Sequence, residues 1–314
     1  MKAGTEMFYS SLLLCAAVLL PLQVVAEIAH FDGSPEALPF EQYRNIVSTD
    51  DSPVQQSFIK SKDGAYVAAA IRKPKGDGPF PVMIMFHGAP GGRGLEQLVG
   101  WSRGDHGGPV WERFLQEGFV VVVADYRGGD WNAMNTPSEK LTTAIDDGIA
   151  VIDYVKALPY TNAAKINIYG VSLGGNLVMY LASRVSGLHT VVTGAPFPVW
   201  FLGGSLPEVI TRGDFSKIEI DEAIADANIT AVQVPVLILV GTADPILPVT
   251  TRLYEELDKR GKTVRMEVYE HGYHDFVLGP QGHARQDLPR GEILLQGALD
   301  ALERTVTFVK SGHL

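Results

Sequence analysis

The sequence predicts an α/β fold: a mostly parallel twisted sheet with helices on both faces. Three observations predict it. Short unbroken apolar runs recur along the chain, stretches of helical period separate them, and the residues able to do chemistry fall directly after the runs. A strand covered on both faces has no reason to alternate with polar residues, so a continuous apolar run is the mark of a buried parallel strand. Sustained alternation of such runs with helices gives right-handed crossovers and a single layered domain.

In chain order, residues 1–26 read as an export signal. Lys2 precedes an apolar run over 12–25, and Val24-Val25-Ala26 ends on a small residue before Glu27. Cleavage is expected near Ala26, leaving a mature domain of 27–314. The competing reading, a retained membrane anchor, is disfavoured because Pro21 and Gln23 interrupt a run already short of the about 20 apolar residues a span needs. The sole cysteine, Cys15, lies in this segment, so the mature chain has neither a disulfide framework nor a thiol nucleophile.

After a polar leader, residues 56–60 and 65–72 form two short strands around the turn Lys62-Asp63-Gly64, an antiparallel edge pair. Buried strands follow at 81–86, 119–124, 166–169, 190–193 and 234–240, with a further strand at 264–269. Ile145, Ile149, Ile152 and Val155 share one stripe while Asp146, Asp147 and Asp153 take the other side, the spacing of a helix laid on a sheet. Residues 197–228, broken by Gly203-Gly204, Pro207 and Gly213, read as a short cap inserted over the sheet's carboxyl edge; an ordinary long connection with one helix is the alternative.

Composition narrows the partners. A chain of 314 residues with 46% hydrophobic content can bury one large core. A formal charge of −10 without clustered Lys and Arg argues against nucleic acid and against an anionic membrane surface. The expected partner is a small-molecule ester or a short peptide, and composition says nothing of the oligomeric state.

Ligands of such sheets bind beyond the carboxyl ends of the strands, so the residues just after each run matter most. After 81–86 comes His87-Gly88-Ala89-Pro90-Gly91-Gly92. The run 166–169 leads into Gly170-Val171-Ser172-Leu173-Gly174-Gly175, a glycine-flanked corner that would hold the Ser172 hydroxyl out over the sheet edge. Asp244 follows 234–240, and His271-Gly272-Tyr273-His274-Asp275-Phe276 follows 264–269. A serine hydroxyl is a poor nucleophile until an imidazole takes its proton, and the imidazole needs a carboxylate to fix its tautomer. Ser172, His274 and Asp244 meet those needs, with His271 as the alternative base. The plainer readings are a helix N-cap for Ser172 and a turn carboxylate before Pro245 for Asp244.

Acyl transfer also needs donors aimed at the oxyanion. Leu173 would supply one amide and Ala89 or Gly88 the other. His87 reads as a brace for its turn. Asp125-Tyr126-Arg127-Gly128 reads as a buried ion pair shaping a loop rather than as substrate contacts through Tyr126 or Arg127. Phe197, Trp200 and Phe201 either line an apolar acyl or alcohol pocket or form the core of the insert. His271 and His274 alone do not make a metal site, and no His-Glu-x-x-His run occurs, so neither metal nor cofactor is expected.

Together these motifs resemble the alpha/beta hydrolases, and within them the catalytic domain of the prolyl oligopeptidases and their dienelactone hydrolase relatives. The resemblance covers about 81–276. It implies the fold, a nucleophile at Ser172, its acid at Asp244, and a base at His274, which is followed within two residues by Phe276 as the base usually is. Many relatives carry a second glycine after His-Gly, where this chain has Ala89. Only about fifty residues separate the expected cleavage site from the glycine-rich turn, too few for the β-propeller of a prolyl oligopeptidase. The function expected is therefore that of an exported serine hydrolase cleaving a carboxylic ester through an acyl-enzyme. A compact serine exo- or oligopeptidase is the alternative. A non-catalytic binding protein of the same fold ranks last, because all three triad residue types are present.

Overall fold

A computed structural model describes residues 27–31, 52–103, 109–128, 137–204, 215–278 and 291–313. Residues 1–26, read as an export signal, the rest of the polar leader at 32–51 and the middle of the proposed cap, 205–214 with Pro207 and Gly213, lie outside the described residues.

The strands are β1 (Glu27–Phe31), β2 (Gln55–Lys60), β3 (Tyr66–Arg72), β4 (Phe80–Phe86), β5 (Val120–Ala124), β6 (Thr161–Val171), β7 (Leu188–Gly194), β8 (Val236–Gly241) and β9 (Val264–Tyr269). Among the described residues they form one nine-stranded sheet in the order β1-β9-β8-β7-β6-β4-β5-β3-β2. Only β3 runs against the others, pairing antiparallel with β2 on one side and β5 on the other. The sequence reading of a mostly parallel α/β sheet with an antiparallel edge pair is the architecture observed.

The seven helices described are α1 (Leu95–Ser102), α2 (Pro109–Gln116), α3 (Pro137–Lys156), α4 (Leu173–Arg184), α5 (Glu222–Ala231), α6 (Leu247–Lys259) and α7 (Gly291–Ser311). They cover both faces. Successive side chains of a strand point to opposite faces, so the unbroken runs feed two cores at once. Ile84, Val122, Ile168 and Val191 pack with α3, α4, α5 and α6, while their neighbours Met83, Val121, Val123 and Val192 pack with α1, α2 and α7. Burial of both sets, most at 0% exposure, is the physical reason these strands carry no polar alternation. By contrast the edge strand β2 does alternate, burying Ser57 and Ile59 and exposing Gln56, Phe58 and Lys60.

Two features depart from the sequence reading. β1, within a segment read as polar leader, pairs in parallel with β9 through registers such as Ile28 with Met266. β6 starts at Thr161, well before the apolar run, because its first half includes Ala163, Ala164 and Lys165, all exposed. Of the segment 197–228, the described parts are a tight turn after β7, a 3-10 turn Phe215–Lys217, and α5, whose N-terminus is capped by the Asp221 carboxylate accepting from the amides of Ala223 and Ile224.

Candidate active site

The strand β6 reverses into α4 at Ser172, which takes φ 55° and ψ −117°. Steric room for that corner comes from glycine. A Cβ on Gly170 would stand 2.1 Å from the Gly174 carbonyl oxygen, and one on Gly174 would stand 2.2 Å from that of Phe86 on β4. The Ser172 amide donates to Gly194 O at 3.0 Å, and Ser172 O accepts from the Phe197 amide at 2.9 Å, which pins the corner to β7 and the segment after it. The hydroxyl makes no capping bond to α4. It turns instead to the imidazole of His274, whose Nε2 lies 2.8 Å from Ser172 Oγ.

On the other side of the ring, His274 Nδ1 faces Asp244 at 3.0 Å from Oδ2 and 3.2 Å from Oδ1. A carboxylate can only accept, so Nδ1 carries the proton and Nε2 is left free to accept from the serine hydroxyl. The Asp244 side chain has no solvent exposure, whereas His274 is 41% exposed. Asp244 also makes the turn bond of the plainer reading: its Oδ1 accepts from the Ile246 amide at 3.0 Å, just before α6. The loops after β8 and β9 are locked together by Thr242 N donating to Tyr269 O at 2.9 Å and Ala243 N to Gly272 O at 3.0 Å. This interlock sets the acid and the imidazole side by side. His271 sits elsewhere, at φ 61° with Nδ1 3.3 Å from Glu270 and its amide donating to Thr242 Oγ1.

The glycine-rich turn after β4 lies against the serine, since a Cβ on Gly88 would come 3.3 Å from Ser172 Cβ and 3.8 Å from its Oγ. Leu173 opens α4, so its amide has no carbonyl a turn earlier to satisfy it. His87 is buried and braces the turn, with Nδ1 2.7 Å from Gly88 O, Nε2 3.1 Å from Asp125 Oδ1, and its ring stacked on Tyr126. The two charges of Asp125-Tyr126-Arg127 do not pair with each other. Arg127 reaches Asp147 at 2.6 Å and Asp63 at 2.7 Å, which ties the loop after β5 to α3 and to the turn between β2 and β3. Tyr126 is buried, with its hydroxyl donating to His87 O.

Phe197, Trp200 and Phe201 are buried on the α4 side of the sheet, Phe197 edge-on to Trp200 and Phe201 edge-on to Tyr180. Their backbone is clasped by polar side chains that sequence reasoning passed over. Asn176 Oδ1 accepts from Phe201 N at 3.2 Å, Tyr180 donates to Trp200 O at 2.7 Å, and Asn228 donates to Phe201 O at 2.8 Å. The available signal was an i, i+4 pair of polar-tipped residues, Asn176 and Tyr180, inside an otherwise apolar helix. Among the described residues no group of three or more His, Cys, Asp or Glu is placed to hold a metal ion. No described helix is long and apolar enough to cross a membrane.

The layered sheet and its serine elbow are those of an alpha/beta hydrolase. Within that class, the model of the Dienelactone hydrolase family matches residues 67–308, and the chain belongs to this family. It is similar to the quorum-quenching protein AidA of Acinetobacter baumannii, 27% identical over 145 residues that make up 46% of this chain and 44% of that protein. It is also similar to the lysophosphatidylserine lipase ABHD12 of Xenopus tropicalis, 31% identical over 185 residues, 54% of this chain and 44% of the relative. The matched region thus spans less than half the length of either relative. Among solved structures, a putative dienelactone hydrolase from Klebsiella pneumoniae superposes with a TM-score of 0.59 at 19% identity, covering 83% of this chain and 99% of that one.

Proposed function

We propose that this chain is a serine hydrolase that cleaves a carboxylic ester through an acyl-enzyme intermediate, with Ser172 as nucleophile, His274 as general base and then acid, and Asp244 as the carboxylate that orients it. The observation that carries the reading is the 2.8 Å contact between His274 Nε2 and Ser172 Oγ, with Asp244 on the opposite ring nitrogen. As Oγ attacks the ester carbonyl, Nε2 takes its proton and the imidazolium is stabilised by Asp244. The carbonyl oxygen becomes an oxyanion facing the Leu173 amide and that of Ala89 or Gly88. Collapse breaks the carbonyl–alkoxy bond, and the proton on Nε2 goes to the departing alcohol. Water then enters by the same base and releases the acid.

An ester is favoured over a peptide by the family, and by a relative whose name is that of a lipase acting on lysophosphatidylserine. Phe197, Trp200 and Phe201, buried and fixed beside the elbow through the Phe197 amide, back the site as packed core, the second of the two roles read for them. Export with cleavage near Ala26 belongs to the same reading.

The test is labelling by a fluorophosphonate probe together with turnover of p-nitrophenyl esters of increasing acyl length and of aminoacyl anilides. Labelling of the wild type, its loss in Ser172→Ala, and a fall in turnover of about 10⁴-fold or more are expected. An unlabelled wild-type protein overturns the serine mechanism. Higher kcat/KM on the anilides than on the esters replaces the esterase with the peptidase.

A further inference from the structure

We propose that Asp125 is the positioning residue of the oxyanion turn: its carboxylate gathers the turn from the side away from Ser172 and so fixes the Gly88–Ala89 backbone where the oxyanion forms. The inference rests on the serine-hydrolase reading above.

The turn cannot hold itself. Between His87 and Leu95 it contains Gly88, Gly91, Gly92 and Gly94, with Gly92 at φ 74° and Gly94 at φ 81°, and glycine populates many conformations when nothing external restrains it. Restraint comes from the end of β5. Asp125 is 6% exposed, and both of its oxygens are occupied. Oδ1 accepts from His87 Nε2 at 3.1 Å, Gly92 N at 2.9 Å and Tyr126 N at 2.8 Å, and Oδ2 accepts from Gly94 N at 3.0 Å. One carboxylate therefore ties the first residue of the turn to two amides near its last. The next residues add backbone support, with Gly92 N donating to Tyr126 O and Gly91 N to Gly128 O, both at 2.9 Å. Gly91 approaches so closely that a Cβ there would lie 2.3 Å from Tyr126 O and 2.4 Å from Gly128 O. The opposite side of the turn rests against Ser172 through Gly88.

This arrangement matters to the reaction because oxyanion donors stabilise developing charge only if they are in place before it appears. Displacing a positioned group by about 1 Å costs on the order of 10²-fold in rate. Asp125 touches neither the nucleophile nor the proposed oxyanion in the described contacts, so it acts through the turn. Burial pushes its carboxyl up, but the hydrogen bonds from His87 and from the Gly94 amide outweigh this and hold it at about 2, so it is a full acceptor across the working range of an esterase.

The test compares Asp125→Asn and His87→Asn with the wild type and with Ser172→Ala. The readouts are p-nitrophenyl acetate kinetics, inhibition by a trifluoromethyl ketone that forms a hemiketal oxyanion on the serine, the pH–rate profile, and thermal melting. In Asp125→Asn we expect kcat to fall about 10²-fold with KM within about threefold. The ketone's inhibition constant should weaken by the same factor as kcat/KM, and the acidic limb of the pH profile should stay where it is. His87→Asn should show the same pattern more weakly. Unchanged kcat in a folded Asp125→Asn, or a rise in KM alone, overturns the proposal. So does failure of both variants to fold, which would make the carboxylate a stability element only. Should Asp125→Asn not fold, His87→Asn decides by the same kcat and ketone criteria. Full activity in Ser172→Ala would instead overturn the serine mechanism itself, whereas an inactive Ser172→Ala beside an unimpaired Asp125→Asn would remove only the positioning role.

Discussion

His274 and Ser172, 102 residues apart in the chain, meet at 2.8 Å between Nε2 and Oγ, although each belongs to a different loop at the carboxyl edge of the sheet. The contact depends on the interlocked loops after β8 and β9, which leave the His274 ring bonded to Asp244 on one side and to the serine on the other.

Replacing Asp244 by Asn keeps an oxygen for the Ile246 amide but offers an N–H where Nδ1 already donates. The imidazole is then driven to the wrong tautomer, with its Nε2 protonated against the serine. A loss of about 10²–10⁴-fold in kcat is expected with little change in melting temperature, measured on an activated ester. Unchanged kcat would show that Asp244 does not orient the base.

Glycine at the elbow is a steric requirement. Gly170→Ala brings a Cβ to 2.1 Å from the Gly174 carbonyl oxygen, a contact that only backbone movement relieves. Denaturant unfolding should show a loss of about 3 kcal/mol or more, or no folded protein at all. Wild-type stability in this variant would contradict the described corner.

Stability toward acid should carry the mark of Asp125. Its folded-state value of about 2 lies below the about 3.9 of an unfolded aspartate. A depressed carboxylate adds stability that is fully present above the unfolded value and disappears as pH falls through the folded one. Between about pH 4 and pH 2 the wild type should therefore lose on the order of 2 kcal/mol that Asp125→Asn does not lose. Urea unfolding of both proteins across this window checks it; parallel curves would contradict the assignment.

If residues 1–26 are an export signal, protein recovered outside the cytoplasm should begin at or next to Glu27. N-terminal sequencing of that fraction reads the site directly, and an intact Met1 there would replace cleavage with anchoring.

The strands were legible because parallel strands are buried on both faces, so runs such as 81–86 and 234–240 carry no polar interruption. The same logic hid β1 and the start of β6. Five residues, Glu27–Phe31, form a strand only because β9 offers an open edge to pair with, and the polar beginning of β6 is not covered on both sides. At the site, the order Ser172, Asp244, His274 and the glycine turn stood out by residue type and by position after the runs. Sequence also left His271 beside His274, and the partners of Arg127 and Asp125 unknown.

By itself the sequence determined the layered α/β class, the serine corner with its obligatory glycines, and the set of groups available at the sheet edge, since these depend on local periodicity and backbone sterics. Only the tertiary structure decided that His274 rather than His271 faces Ser172, that Arg127 ties to Asp63 and Asp147, and that Asp125 gathers the turn bearing Gly88 and Ala89. Those are contacts between residues distant along the chain, and they come into being only when the sheet brings its strand ends to a common rim.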